Sequence, residues 1–286
     1  MISCPTVRKS EIRFHYDLST AFYRLLWGEH IHHGLWSGDE SPATAQRQLI
    51  DAVAKRAGIR QGESVLDVGC GMGGSSVYLA REFGCHVTGV TLSPVQRFWA
   101  AGGALWHGQS ARTKFLRGDA EAVEFAPQSF DVVWSIECTE HLFDKAAFFR
   151  RAAGWLKPGG RVTICAWLAG DEPLDEAGRK RVYDVCEGFL CPSLGTADDY
   201  KRWLTDAGLE LTSYDDWTER VAQTWEICRR RVARTGVRRL SQLIHRGTTL
   251  FLDRFDAILE AYRTRSMLYG CFSARLPSDS DARATN

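Results

Sequence analysis

From Ser64 onward the chain alternates short apolar runs with longer amphipathic ones. Ser64–Val68 reads as a buried strand ending in glycines, and Gly74–Phe83 carries helical spacing. His86–Thr91 predicts a second strand and Pro94 to about His107 a second helix. Lys114–Arg117, Phe130–Ile136 and Arg161–Leu168 are further strand candidates, with a helix at Lys145–Leu156 between the last two. Lys157-Pro-Gly-Gly160 reads as a turn that stops this helix, because proline cannot continue it. Strands alternating with helices of this length predict parallel βαβ units, an α/β fold with a doubly wound Rossmann-like sheet. Beyond it come helical segments at Glu176–Leu190 and Ala197–Ala207, a strand at Leu209–Tyr214, and one long helical stretch from Val221 to about Arg263. A last strand is expected at Tyr269–Leu276, then a polar, frayed tail. Upstream, residues 10–57 look helical with a break at Gly34–Pro42. No repeat or low-complexity run interrupts the pattern.

Composition narrows the class. Thirty-six basic residues against thirty-five acidic give a net charge of +1 over 286 residues, which leaves no electrostatic footprint for nucleic acid. An apolar share of 44% with 25% charged residues excludes wholesale disorder. No run reaches the roughly 20 apolar residues of a membrane span, and the first residues lack the apolar core of a secretory signal. Nine cysteines are scattered without a CxxC pair, which favours reduced, buried thiols in the cytoplasm over disulfides or structural zinc. Ten tryptophans and fourteen phenylalanines would suit a pocket for a flat apolar ligand.

The most informative stretch is Val65–Gly74. Gly69, Gly71 and Gly74 satisfy G-x-G-x-x-G directly after a strand and before a helix, where the backbone must turn tightly and approach a ligand. Two features argue against a dinucleotide. Asp67 would face a pyrophosphate, and the second strand's end, Gly89–Ser93, has no acid for a ribose. A carboxylate there suits a ligand carrying an ammonium and a sulfonium.

Asp67-Val-Gly-Cys-Gly71 resembles motif I of class I S-adenosylmethionine (SAM) dependent methyltransferases. Residues 67–96, 137–149, 156–164 and 195–225, and Trp27–Trp36, are similar to the γ-tocopherol methyltransferase branch, so the resemblance spans roughly 15–275. Cyclopropane fatty-acid synthases share the HYD…FY opening and the Gly-Val-Thr-Leu-Ser strand end. The resemblance implies that Asp67, Gly69 and Gly71 cradle the methionine part of SAM, which leaves as S-adenosylhomocysteine. It puts Thr91 where an acid normally grips the ribose, with Leu92 on the adenosine and Gln96 as a further polar contact. Asp119, Ala120 and Glu121 resemble the adenine-reading loop, and Ser135 and Ile136 would touch cofactor through backbone atoms. Tyr16, His33 and Trp36 would belong to a lid over SAM. His30, His32 and His33 lack partners at metal-ligand spacing, so no metal is expected.

Glu137, Glu140 and His141 cluster just beyond the fourth strand. His141 is the candidate general base and Glu137 the second candidate catalytic residue. Trp217, Trp225, Phe251, Phe255 and Tyr262 are candidate walls of an acceptor cap, and Arg229–Arg234 with Arg238 and Arg239 a cationic surface on it. The implied organisation is a helical lid (1–57), a SAM-binding core (58–170), a cap with the last strands (171–276) and a tail (277–286). The implied activity is methyl transfer to a small apolar, aromatic or isoprenoid acceptor, at carbon or nitrogen. The alternatives are a fatty-acid-modifying relative of the cyclopropane synthases or a non-catalytic scaffold. Expected partners are a small-molecule acceptor, without nucleic acid or integral membrane association, and a homodimer stays open.

Overall fold

The computed structural model describes residues 1–235 and 254–278. Its centre is a seven-stranded sheet built from β2 (Ser64–Val68), β3 (His86–Thr91), β4 (Thr113–Arg117), β5 (Phe130–Ile136), β6 (Leu156–Ala169), β8 (Glu210–Asp216) and β9 (Met267–Arg275), in the order β4-β3-β2-β5-β6-β9-β8. Strands β2 to β6 run parallel, whereas β9 lies antiparallel between β6 and β8. The short β1 (Ile2–Ser3) pairs with β7 (Ser193–Leu194) outside it. Apolar side chains fill both faces, as parallel strands between helical layers require.

Local sequence explains where the elements start and stop. Helices α1 (Lys9–Leu26) and α2 (Pro42–Ala57) precede the sheet. Ser41 Oγ accepts from the Thr44 amide, Pro42 occupies the first turn, and Gly58 closes α2 at φ +58°. Helix α3 (Gly74–Glu82) follows the glycine turn, and α4 (Pro94–Trp106) repeats the Ser-Pro start with Ser93 as its cap. Asp144 caps α5 (Lys145–Trp155) and Asp175 caps α6 (Glu176–Phe189). A Thr196–Asp199 capping box opens α7 (Ala197–Asp206). Then come α8 (Thr218–Val221), α9 (Gln223–Thr235) and α10 (Phe255–Arg263).

Three expectations change. Lys157–Gly160 does not separate helix from strand, because β6 already pairs at Leu156 with Phe130 and resumes at Arg161 with Val132. The intervening residues, with Gly159 at φ +73°, bulge out of the ladder. The expected helix from Val221 to Arg263 is divided among α8, α9 and α10, and residues 236–253 of it lie outside the described residues. The N-terminal break is wider than Gly34–Pro42, running from Trp27 to Ser41, where Gly28 takes φ +98° and the chain turns inward. No described helix is long and apolar enough to cross a membrane.

Because β3 lies on one side of β2 and β5 on the other, the crossovers diverge there. They open a crevice at the carboxyl ends of the strands.

Candidate active site

The crevice is a cleft of about 1000 Å³ floored by the turn after β2. Gly69 and Gly71 take φ +77° and +52°, the left-handed region that glycine enters freely. A Cβ on Gly69 would overlap the Cys138 side chain, whereas one on Gly71 would meet nothing within 4 Å and would project into open space. The loop is therefore held on one side and bare on the other, as a cradle must be. Asp67 is buried, and its Oδ2 accepts from Ser76 Oγ at 2.5 Å. Burial pushes its carboxyl up to about 7, against the lowering effect of that hydrogen bond. A cationic ligand group beside it would stabilise the charged form, so this donor set fits the ammonium and sulfonium of SAM.

Thr91, Leu92 and Gln96 line the same cleft, with Thr91 Oγ1 donating to Gln96 Oε1 at 2.8 Å. Asp119, Ala120 and Glu121 form its far end. Lys9 Nζ binds Asp119 Oδ2 at 2.7 Å and Glu121 Oε2 at 2.6 Å. Glu121 Oε1 accepts from the amides of Phe143 and Asp144, so both its oxygens are engaged in holding the loop. Tyr16 and Ile136 are also in the wall. Ser135 is not: its buried hydroxyl donates to the Val68 carbonyl at 3.0 Å and ties β5 to β2.

A second chamber of about 580 Å³ abuts the cleft. Trp27, Trp167, Phe189 and Trp225 supply its apolar walls, with Thr224, Glu140 and Cys191 among the polar ones. Tyr16, Ile31, His32, Glu137 and His141 border both cavities. Their hydrogen bonds fix the histidine tautomers. His141 Nδ1 can only donate to the Leu190 carbonyl (3.0 Å), which leaves Nε2 to accept from the Tyr16 hydroxyl (2.8 Å). Burial lowers the His141 ring to about 4, so it is neutral. Trp225 Nε1 donates to His33 Nε2 at 2.6 Å, which turns His33 Nδ1 toward Glu137 Oε1. Glu137 also accepts from Trp167 Nε1 and the Tyr269 hydroxyl. Burial pushes its carboxyl up, but the facing His33 and its hydrogen bonds outweigh this and hold it below the ordinary 4.5. Glu140 differs. Oε1 accepts from the Trp167 amide at 2.5 Å, Oε2 is buried without a hydrogen bond, and burial pushes this carboxyl up to about 8. His32 Nε2 is likewise buried and unbonded.

Besides Ser135, two residues expected at the cofactor lie outside the cleft. His33 borders the second chamber and not the cleft. Trp36 is buried away from both, its Nε1 donating to Thr224 Oγ1 at 2.9 Å, so it clamps the 27–41 segment onto α9. Of the expected cap walls, Trp225 lines the chamber, Phe255 backs it at a centroid distance of 5.1 Å, and Tyr262 reaches His33 at 3.3 Å. Trp217 is buried remotely under the Arg56 guanidinium, and Phe251, Arg238 and Arg239 lie outside the described residues. Arg229, Arg230 and Arg234 are exposed. Among the described residues no three His, Cys, Asp or Glu are grouped to hold a metal. All nine cysteines are free. Glu140 and His32 were the residues whose chemistry the sequence concealed, since only burial without a partner distinguishes them.

A switch-point cleft with a glycine cradle and a buried carboxylate is the arrangement that the resemblance to class I SAM-dependent methyltransferases implies. The mycolic acid cyclopropane synthetase family matches residues 5–264, and the chain belongs to that family. Chloroplastic tocopherol O-methyltransferase of Arabidopsis thaliana is 34% identical over 78% of this chain and 69% of its own. The 27-O-demethylrifamycin SV methyltransferase of Amycolatopsis mediterranei (strain S699) is 32% identical over 94% of this chain and 97% of its own. These relatives bear out the tocopherol methyltransferase-like resemblance. The fold matches the cyclopropane synthase MmaA2 from Mycobacterium tuberculosis with a TM-score of 0.82 at 18% identity, covering 95% of this chain and 100% of that one. It matches the 4+2 cyclase SpnF at 0.84 and 23%, covering 96% and 98%. The protein is a SAM-dependent methyltransferase.

Proposed function

We propose that the cleft binds SAM and that the adjoining chamber receives a small, apolar, aromatic or isoprenoid acceptor. The observation that carries this reading is the shared border of the two cavities at Tyr16, Ile31, His32, Glu137 and His141. A donor in one cavity and an acceptor in the other meet there, out of bulk water. Bound SAM supplies an electrophilic methyl on a sulfonium, so the chain must chiefly align the partners and manage one proton.

In this reading Asp67, Gly69, Gly71, Thr91, Leu92, Gln96, Asp119 and Ala120 hold the cofactor, with Ile136 and Tyr16 completing the wall. Glu121 positions the loop through Lys9, Phe143 and Asp144. His141 was expected to take the acceptor's proton, but a ring lowered to about 4 and engaged on both nitrogens supports a different task, holding Tyr16. Glu140, pushed up to about 8 with one free oxygen, is matched to a proton near neutral pH. Glu137 then anchors His33 in the chamber wall. The tryptophan-rich lining supports a flat acceptor, and relatives whose names specify tocopherol and a demethylrifamycin support the same class. Those names widen the expected acceptor atom from carbon or nitrogen to oxygen. The scattered free cysteines support a cytoplasmic setting.

The test is incubation of the purified chain with methyl-labelled SAM and a panel of phenols, isoprenoid quinols, indole-type amines and small charged amines. Label in an apolar ring compound is the expected result. Label only in a charged amine, or in an unsaturated fatty acyl chain, would replace this reading.

A further inference from the structure

Outside the catalytic cavities lies a groove of about 1320 Å³ between the end of α1, α3 and α4. Trp99, Trp106, Arg24, Arg47, Arg81 and His107 contribute to it. Within it α4 exposes Phe98 (78%) and Trp106 (87%), and Leu105 (73%) of α4 and Leu25 (81%) of α1 are exposed as well. So many large apolar side chains in water on one region of a protein mark an interaction surface. The groove floor is bare, because Cβ atoms built on Gly102 and Gly103 of α4 would meet nothing within 4 Å.

Charge indicates the partner. Between Glu82 and Asp119 the chain has no acidic residue, yet it contains Arg97, Arg112, Lys114 and Arg117, all exposed, in a protein whose net charge is only +1. Arg97 lies on α4 itself, and Arg24, Arg47 and Arg81 line the groove. The groove's acidic member, Glu29, is engaged by Arg24 at 3.3 Å, and Arg81 pairs with Glu82. A second copy docked symmetrically through this face would set like charges against each other. Exposed tryptophan and phenylalanine on a helix, flanked by arginines, match instead the headgroup boundary of an anionic bilayer. There the rings enter the acyl region and the cations meet lipid phosphates.

We propose that α4 and the outer face of α1 dock this enzyme peripherally on an anionic lipid surface. The inference stands whether or not the acceptor is apolar. It does have a geometric corollary, because Glu29, His30, Met72 and Gly74 border both the groove and the cofactor cleft. The opposite side of α1 carries Tyr16 to the boundary between the catalytic cavities.

The experiment is flotation of the full chain with phosphatidylcholine vesicles, with and without phosphatidylglycerol, followed also by tryptophan emission. Binding should require the anionic lipid, weaken with added salt and shift the emission to the blue. Phe98→Ser/Trp106→Ser and Arg47→Glu/Arg81→Glu should each reduce partitioning by roughly tenfold or more, while S-adenosylhomocysteine affinity in calorimetry shows that both variants fold. Absence of binding to anionic vesicles overturns the proposal, as do variants that bind like the parent. So does a dimer in sedimentation that Phe98→Ser/Trp106→Ser dissolves, since the face would then be occupied by a second copy.

Discussion

His33 and Glu137 form a buried pair that receives two contacts at one oxygen: Glu137 Oε1 lies 3.0 Å from His33 Nδ1 and accepts the His33 amide at 2.8 Å. The pair joins the irregular 27–41 segment to the end of β5. Removing one member of a buried, hydrogen-bonded pair leaves the other unsatisfied, at a cost on the order of 3 kcal/mol. Glu137→Ala should lower the thermal midpoint by several degrees. Glu137 is held below its ordinary 4.5, so its contribution is present above that value and is lost as pH falls through the lower folded value. The parent's stability advantage over Glu137→Gln should therefore shrink on acidifying below about pH 4.5; an advantage that is flat with pH would count against the assignment.

In the proposed reading Asp67 makes cofactor affinity depend on pH. Its carboxyl, pushed up to about 7, must ionise to meet a cation. SAM should therefore bind more tightly as pH rises through about 7, and Asp67→Asn should flatten the dependence. Asp67→Ala should weaken binding at least about tenfold, or 1.4 kcal/mol. Calorimetry across the pH range measures both effects.

Transfer to a phenol should report Glu140. Its raised carboxyl predicts a single-turnover rate that climbs with pH and levels above about 8, because the ionised form takes the proton. Glu140→Gln should abolish that rise and slow turnover by roughly 100-fold. His141→Ala should chiefly loosen Tyr16 and raise the Michaelis constant for SAM. A loss of roughly 100-fold in turnover with binding intact would return the base role to His141.

Closure is accessible to hydrogen exchange. Trp36 and the Gly34 amide are both held by Thr224 Oγ1, so the segment is pinned at one end and borders both cavities at Ile31 and His32. Amides across residues 12–38 should exchange more slowly with S-adenosylhomocysteine present. Identical exchange would rule out a lid.

The chamber wall gives a separate readout. Trp225→Ala should leave SAM affinity unchanged and weaken an apolar acceptor by about 1–3 kcal/mol. Normal acceptor binding by this variant would move the acceptor out of the chamber.

The parallel strands and their helices were legible because their signals are local. The Ser93-Pro94 start, the glycine turn after Val68 and the alternation of apolar runs each act within a few residues. The cleft itself was legible for the same reason, as Asp67, Gly69 and Gly71 lie on one turn. Trp36 was not, since its partner Thr224 lies 188 positions along the chain. The tie made by the Ser135 hydroxyl was hidden, because a serine at a strand end shows no sign of the Val68 carbonyl it will meet. Glu140 and Glu137 are alike in sequence and separate only when His33 folds against one of them.

The position of β9 sets an order of assembly. The strands that shape the cofactor cleft follow one another between Ser64 and Ala169, so this half can pair as soon as that length has been synthesised. The chamber cannot. Tyr269, which bonds Glu137, lies in the strand that must insert between β6 and β8. In the proposed reading an emerging chain has its cofactor cradle before it has a place for the acceptor, and shortening it ahead of Met267 should separate the two capacities.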